Sequence, residues 1–252
     1  MKLKALLLWG ACMFFINISS FAQENYWESI RESEIPQNGD RQIIPEKYLS
    51  YSADIGKISA ILDQAPLRFS KEATDSKVIL ELPTPDGEIK RFNILNAPVF
   101  APELAAKYPQ IRSFAGQGVD DPHAYIRFDL GPKGFHAMIL SPNHSTIFID
   151  PFHDKTANEY IVYYKKDFIA HNKTMTCDYE AVNKHLLHDT PDLDKAPING
   201  DCQFRDYRMA LACTGEYAQF HGGTVTLVLA AMNTSMTRVN GVFERDLAVK
   251  MV

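Results

Sequence analysis

The chain has 252 residues, 46% of them hydrophobic and 23% charged, with 13 Gly and 14 Pro. That balance excludes a disordered, collagenous or coiled-coil protein and supplies enough apolar material for a buried core. Its 26 basic and 31 acidic residues give a formal charge of -5, with no clustered positive stretch, so the sequence predicts no nucleic-acid partner.

Residues 1–22 have the layout of a secretory signal. Lys2 and Lys4 form a basic start, residues 5–18 are mostly apolar, and Ser20-Phe21-Ala22 places small residues at a cleavage site after Ala22. The apolar run is shorter than the roughly 20 residues that span a bilayer, and no later segment reaches that length, so no membrane span is expected. The mature chain then begins at Gln23, carries a formal charge of -7 after losing two lysines, and is secreted. Cleavage also removes Cys12 and leaves Cys177, Cys202 and Cys213, an odd number for an oxidising compartment.

In chain order, a polar stretch leads to a short helix around 58–62. The β-rich runs 78–82 and 89–95 flank Pro83-Thr84-Pro85-Asp86-Gly87, the composition of a hairpin. A short helix over 102–108 stops at Pro109. The runs 124–130, 135–140, 146–149 and 159–164 alternate with Gly-, Pro- and Asn-containing turns and predict an antiparallel meander. From 168 to 203 polar residues, Pro191, Pro197 and Gly200 read as a linker. A strand-like run over 204–213 follows, then a helix opened by Gly222-Gly223 and capped by Thr224, and a second strand over 242–252. Val225, Val228, Leu229, Met232, Met236 and Val239 have the spacing of one buried helix face, with Gly241 as its end. Strand, helix, strand opens an α/β unit, and the run ends inside its last strand as a truncated product would.

Motifs of catalysis are few. No His-Glu-x-x-His or Cys-x-x-Cys occurs among the 8 histidines and 4 cysteines, and no Gly-x-Ser-x-Gly elbow is present. Gly116-Gln117-Gly118 is not followed by a helix, so it does not read as a dinucleotide fingerprint. His185 and His188 lie three apart in the polar linker; His123, His136, His144 and His221 read as satisfied polar or surface residues. Asn143, Asn172 and Asn233 sit in sequons that matter only in a eukaryotic secretory pathway. Cys177, in polar sequence between two domains, has two readings: a thiolate ligand for zinc in a neighbouring cleft, or a structural cysteine that is bridged to Cys202 or Cys213 or left as a free thiol.

Residues 206–217, from Asp206-Tyr207-Arg208-Met209 to Gly215-Glu216-Tyr217, resemble the beginning of the catalytic domain of secreted bacterial reprolysin-like zinc metalloproteases, members of the metzincins. Gly222-Gly223-Thr224 and the helix carrying Met232-Asn233-Thr234-Ser235-Met236 and Phe243-Glu244-Arg245-Asp246 extend the likeness. Upstream, 111–116 and 134–140 are similar to the β-rich propeptide of that family.

The resemblance implies an α+β chain: signal peptide 1–22, β-rich propeptide domain 23–167, linker 168–203, and over 204–252 the first strand, helix and strand of an α/β metzincin-like catalytic domain. It implies a zymogen whose cofactor is zinc, whose substrate is a protein or peptide, and whose propeptide holds its own catalytic domain latent. Cys177 matches the propeptide cysteine that ligates zinc in latent relatives, although Asp178 follows it where the common pattern has Gly. With Cys202 and Cys213 paired as a disulfide, Cys177 is the remaining thiol. The family's zinc helix would follow residue 252, so the expectation is an N-terminal portion that is inactive alone. Two other readings are a secreted β-rich binding or adhesion module and a trans-acting propeptide inhibitor. Mass spectrometry of the exported chain checks the first step: the mature N-terminus is expected at Gln23, and retention of Met1 overturns the signal assignment.

Overall fold

The computed structural model describes residues 25–155, 158–168 and 203–252. The signal segment with Ala22, and the linker positions Cys177, His185, His188 and Cys202, lie outside the described residues.

The meander forms as its alternating runs require. The strands β3 (Ile79–Pro83), β4 (Ile89–Asn96), β5 (Arg112–Gly118), β6 (Tyr125–Gly131), β7 (Gly134–Leu140), β8 (Ile147–Pro151) and β9 (Glu159–Tyr164) each pair antiparallel with the next. Two further strands, β1 (Trp27–Ser29) and β2 (Leu49–Ala53), join beyond β9, giving one nine-stranded sheet in the order β1-β2-β9-β8-β7-β6-β5-β4-β3. Gly87 turns the β3–β4 hairpin with φ +85°, a conformation that a Cβ disfavours. Helix α1 (Ile55–Leu62) starts where the Asp54 carboxylate accepts the Lys57 N–H, and it sinks Ile58 and Leu62 into the core.

Period-two alternation decides which residues meet inside. Ile126, Phe128 and Leu130 of β6 face Phe135, Ala137 and Ile139 of β7 across the register, and all belong to one buried cluster with Phe92, Phe114, Ile149 and Val162. Phe114 and Phe128 stack with centroids 5.1 Å apart. The curled sheet thus encloses a packed apolar interior.

The curl nearly closes on itself as a barrel, and side chains complete what backbone pairing does not. The outermost strands are β1 and β3. The Trp27 indole N–H donates to the Glu81 carbonyl of β3 at 2.9 Å, and the Glu81 N–H donates to the Tyr26 hydroxyl. Trp27 is buried against Phe135 at 5.8 Å and Tyr160 at 5.6 Å, so one residue both fills the interior and ties the seam.

The last third departs from expectation. Strands β10 (Arg205–Tyr207) and β11 (Val249–Met251) are three residues each and pair parallel as a two-stranded ribbon. Between them lie α3 (Gly215–Phe220) and α4 (Val225–Leu247), a 23-residue helix that runs through Gly241 and ends at Ala248, whose φ of +53° turns the chain into β11. The Thr224 hydroxyl does cap α4, accepting the Leu227 N–H at 3.3 Å. The α+β class with an α/β metzincin-like second domain is therefore overturned. Among the described residues the architecture is β-dominated, and α4 packs mainly on the outer wall of the nine-stranded sheet at β6, with β5, β7 and the ribbon strand β11 around it. The physical reason is that a two-stranded ribbon offers a 23-residue helix too little surface to bury.

Trp27→Ala is expected to destabilise the chain by about 3–5 kcal/mol, since it opens a core cavity and releases the β1–β3 tie. Equilibrium urea unfolding followed by far-UV circular dichroism checks this; a loss below about 1 kcal/mol would remove the closure role.

Candidate functional site

The largest concentration of buried charge lies where α4 meets the barrel's outer wall. Cross-strand pairing puts Ala115, Arg127, Met138, Phe148 and Tyr163 in one row on that wall, with the pair Asp129–His136 beside it. The facing stripe of α4 is made of Ala230, Ala231, Asn233, Thr237, Asn240, Gly241 and Glu244, all buried. Of the apolar face read from the sequence only Val228 is buried: Val225 is 65% exposed, Val239 is exposed, and Leu229, Met232 and Met236 line a groove of about 210 Å³ beside Phe100 and Leu104.

Three sets of contacts cross this seam. At the first turns of the stripe the Thr234 hydroxyl donates to Asp129 Oδ2 at 2.7 Å. One turn on, Arg238 Nη2 meets Asp150 Oδ1 at 2.5 Å, while the Tyr163 hydroxyl donates to Asp150 Oδ2 at 3.0 Å and the guanidinium lies 4.9 Å over the Phe148 ring. Near the helix end Glu244 Oε2 accepts from Arg68 Nη1 at 2.8 Å and from the Tyr125 hydroxyl at 2.5 Å, and its Oε1 lies 3.9 Å from Arg127 Nη2.

Electrostatics here are set by burial. Arg127 is wholly inaccessible, and burial lowers the pKa of its guanidinium against the opposing pull of Glu244. Among the described residues its guanidinium makes one hydrogen bond, a 3.4 Å contact to the Ala97 carbonyl, so charge balance with Glu244 rather than full bonding sustains it. Burial works against the Arg238 charge too, but Asp150 outweighs it and holds that guanidinium above its ordinary range. The Tyr125 and Tyr163 hydroxyls are pushed up, first by burial and then by Glu244 and Asp150, so both remain donors at physiological pH.

Gly241 sits at the closest approach. A Cβ there would lie 2.5 Å from Met138 Cε and 3.1 Å from Arg127 Cγ. Asn240 secures the ribbon to the same helix, its amide donating to the Met251 carbonyl at 2.9 Å and its carbonyl accepting the Met251 N–H at 2.8 Å.

Two of the other hollows gather several titratable groups each. One end of the barrel has a hollow of about 460 Å³ whose charges are already matched: Arg91 with Asp120 at 2.6 Å, Lys90 with Glu88 at 2.7 Å, Tyr164 with Asp86. The Arg91 hydrogen bonds hold Asp120 below the usual carboxylate range, as the Ser141 hydroxyl does Asp121. A second hollow gathers His136, His153 and His221 with Lys133. His153 is engaged on both ring nitrogens, Nε2 with the Pro36 carbonyl at 2.8 Å and Nδ1 accepting the Lys155 N–H at 3.2 Å; burial, then Lys133, pushes His221 down.

Among the described residues no three His, Cys, Asp or Glu side chains converge as a metal site, so none of them is assigned to zinc. Cys213 is exposed and free; Cys177 and Cys202 lie outside the described residues. Asn233, on α4, is buried and is no glycosylation acceptor in this arrangement. No helix among the described residues is long and apolar enough to cross a membrane. Comparison with protein-family models, with curated proteins and with solved structures returned no match.

The sequence reading missed Arg68, Tyr125, Arg127, Asp129, Asp150, Arg238 and Glu244. Gly241→Val is expected to wedge α4 off the wall while the barrel stays folded. Hydrogen exchange read by mass spectrometry checks it: amide protection over 225–247 should fall at least tenfold with protection in β5–β8 unchanged, and unchanged α4 protection would show that the close approach is not needed.

Proposed function

We propose that this chain is the N-terminal portion of a secreted zinc-dependent metalloendopeptidase zymogen, with the barrel as the prosegment and residues 204–252 as the first piece of the peptidase. The observation that carries the reading is where α4 gets its support. The peptidase-like sequence lies mainly on this helix, and neither cluster of buried hydrophobic residues includes any part of it. It rests instead on the barrel wall through buried polar contacts, the kind of interface that joins separable domains more often than it joins the halves of one core.

In this reading zinc supplies an activated water for attack on a peptide carbonyl. The described residues hold and orient: Asp129, Asp150, Arg68 and Arg127 position the helix, and Asn240 positions β11. Cys177 is proposed as the thiolate that keeps the latent metal from binding water, with export following from residues 1–22. The His-Glu-x-x-His helix is proposed in sequence following residue 252.

The test is to translate the reading frame past codon 252 and express the whole product. A His-Glu-x-x-His motif is expected within roughly 100–150 codons. The intact product should be latent toward casein, Cys177→Ala should raise its activity at least tenfold, and a zinc chelator should abolish that activity. A frame that ends without the motif overturns the proposal; latency unaffected by Cys177→Ala removes the thiol from it.

A further inference from the structure

We propose that the outer wall of β6–β8 is a docking surface that recognises α4 by the order of its charges, and that it keeps hold of the helix after the backbone between them is cut. This goes beyond the zymogen reading and stands whether or not the longer protein cleaves peptides.

The order of groups is the argument. Along α4 the seam presents a hydroxyl at Thr234, a cation at Arg238 and an anion at Glu244, spaced by one turn and then by nearly two. The wall answers with an anion at Asp129, an anion at Asp150 and a cation at Arg127 with the Tyr125 hydroxyl beside it, and Arg68, from the segment between α1 and β3, adds a second cation at Glu244. A helix laid in the reverse direction would put Glu244 toward Asp129 and Asp150 while leaving Arg127 buried without an anion. Wrong pairings of buried charge are far costlier than a missed apolar contact. The partner this surface fits is therefore an amphipathic helix with a small residue at the closest approach, as Gly241 is here, and an arginine and a glutamate six residues apart on the flanks.

Retention after scission follows from burial. Asp150 and Glu244 have side chains 2% and 3% exposed and Arg127 is fully buried, while Arg238 and Arg68 are 27% and 18% exposed, so salt screens these pairs less than it would a surface pair and the Glu244–Arg127 pair least. The ribbon travels with the helix, because Asn240 bonds β11 on both sides of its amide.

The experiment inserts a specific protease site between Lys195 and Ala196 of the full chain, cuts the purified protein, and passes it over a sizing column at about micromolar concentration in high salt. The two pieces are expected to co-elute. In the cut protein, Glu244→Leu and Arg238→Gln should each weaken association about a hundredfold, and Asp150→Asn added to Arg238→Gln should cost little more than either alone, because the two residues act as a pair. Val242→Ser, on the exposed side of α4, should change nothing. Hydrogen exchange on the uncut variants keeps the result readable if a cut variant precipitates: protection over 225–247 should fall while barrel protection holds. Separation of the unmodified pieces overturns the proposal. Co-elution that Glu244→Leu and Arg238→Gln leave unchanged overturns it as well, by showing that apolar contact alone holds the helix.

Discussion

A nine-stranded antiparallel sheet has two edges, and unpaired edges invite association with other chains. This molecule curls until its first strand in sheet order meets its last, and Trp27 makes the junction, with its ring in the interior and its N–H on the β3 backbone. Every later feature depends on that curl. It turns one face of each strand into a filled interior and leaves the other face convex, so that side chains from successive strands stand together on the wall beneath α4.

What the wall carries is unusual for a surface that ends up buried. Charged groups removed from water stabilise little even when well paired, and removing one partner is far worse than replacing both. A seam built from Arg127, Glu244, Asp150 and Arg238 is therefore a lock: it holds when every partner is in place, loses heavily when one is missing, and rejects misplaced partners. An apolar seam would hold α4 in several registers. The polar seam admits one, which suits an element whose position matters to the sequence that surrounds it.

Much of the barrel was legible because alternation is a local signal. The runs 78–82, 89–95, 124–130, 135–140 and 159–164 became strands within a few residues of their expected bounds. Strand β5 is not among the expected β-rich runs, since Gly116 and Gly118 interrupt its apolar pattern; Gly116 is there because a Cβ would meet Ile126 Cγ1 at 2.9 Å and the Asn93 carbonyl at 3.0 Å. The last third went wrong for a related reason. A valine- and leucine-bearing stripe on α4 matched the helical period, and so did the stripe of Asn233, Thr237, Asn240 and Glu244 about a quarter turn away. Sequence alone treats a polar stripe as solvated, and only the matching polar wall turns it inward. Arg127 and Asp129 were hidden in the same way, as outward members of an alternating strand. The charged seam was written in two halves about a hundred residues apart, and neither half is informative by itself.

The chain separation across that seam orders the steps of assembly. Arg68 and Glu244 stand 176 residues apart, and Tyr125 and Glu244 119 apart. Contacts spanning such distances form late, after local pairing has closed the intervening loops. Asp129, Asp150 and Arg127 come into alignment only when β6, β7 and β8 are already in register, since a one-residue slip of β6 would turn Arg127 and Asp129 toward the interior and a slip of β8 would turn Asp150. The helix thus meets its counterparts only on a correctly completed barrel. A faulty barrel cannot be sealed over, and the closing step doubles as an inspection of everything folded before it.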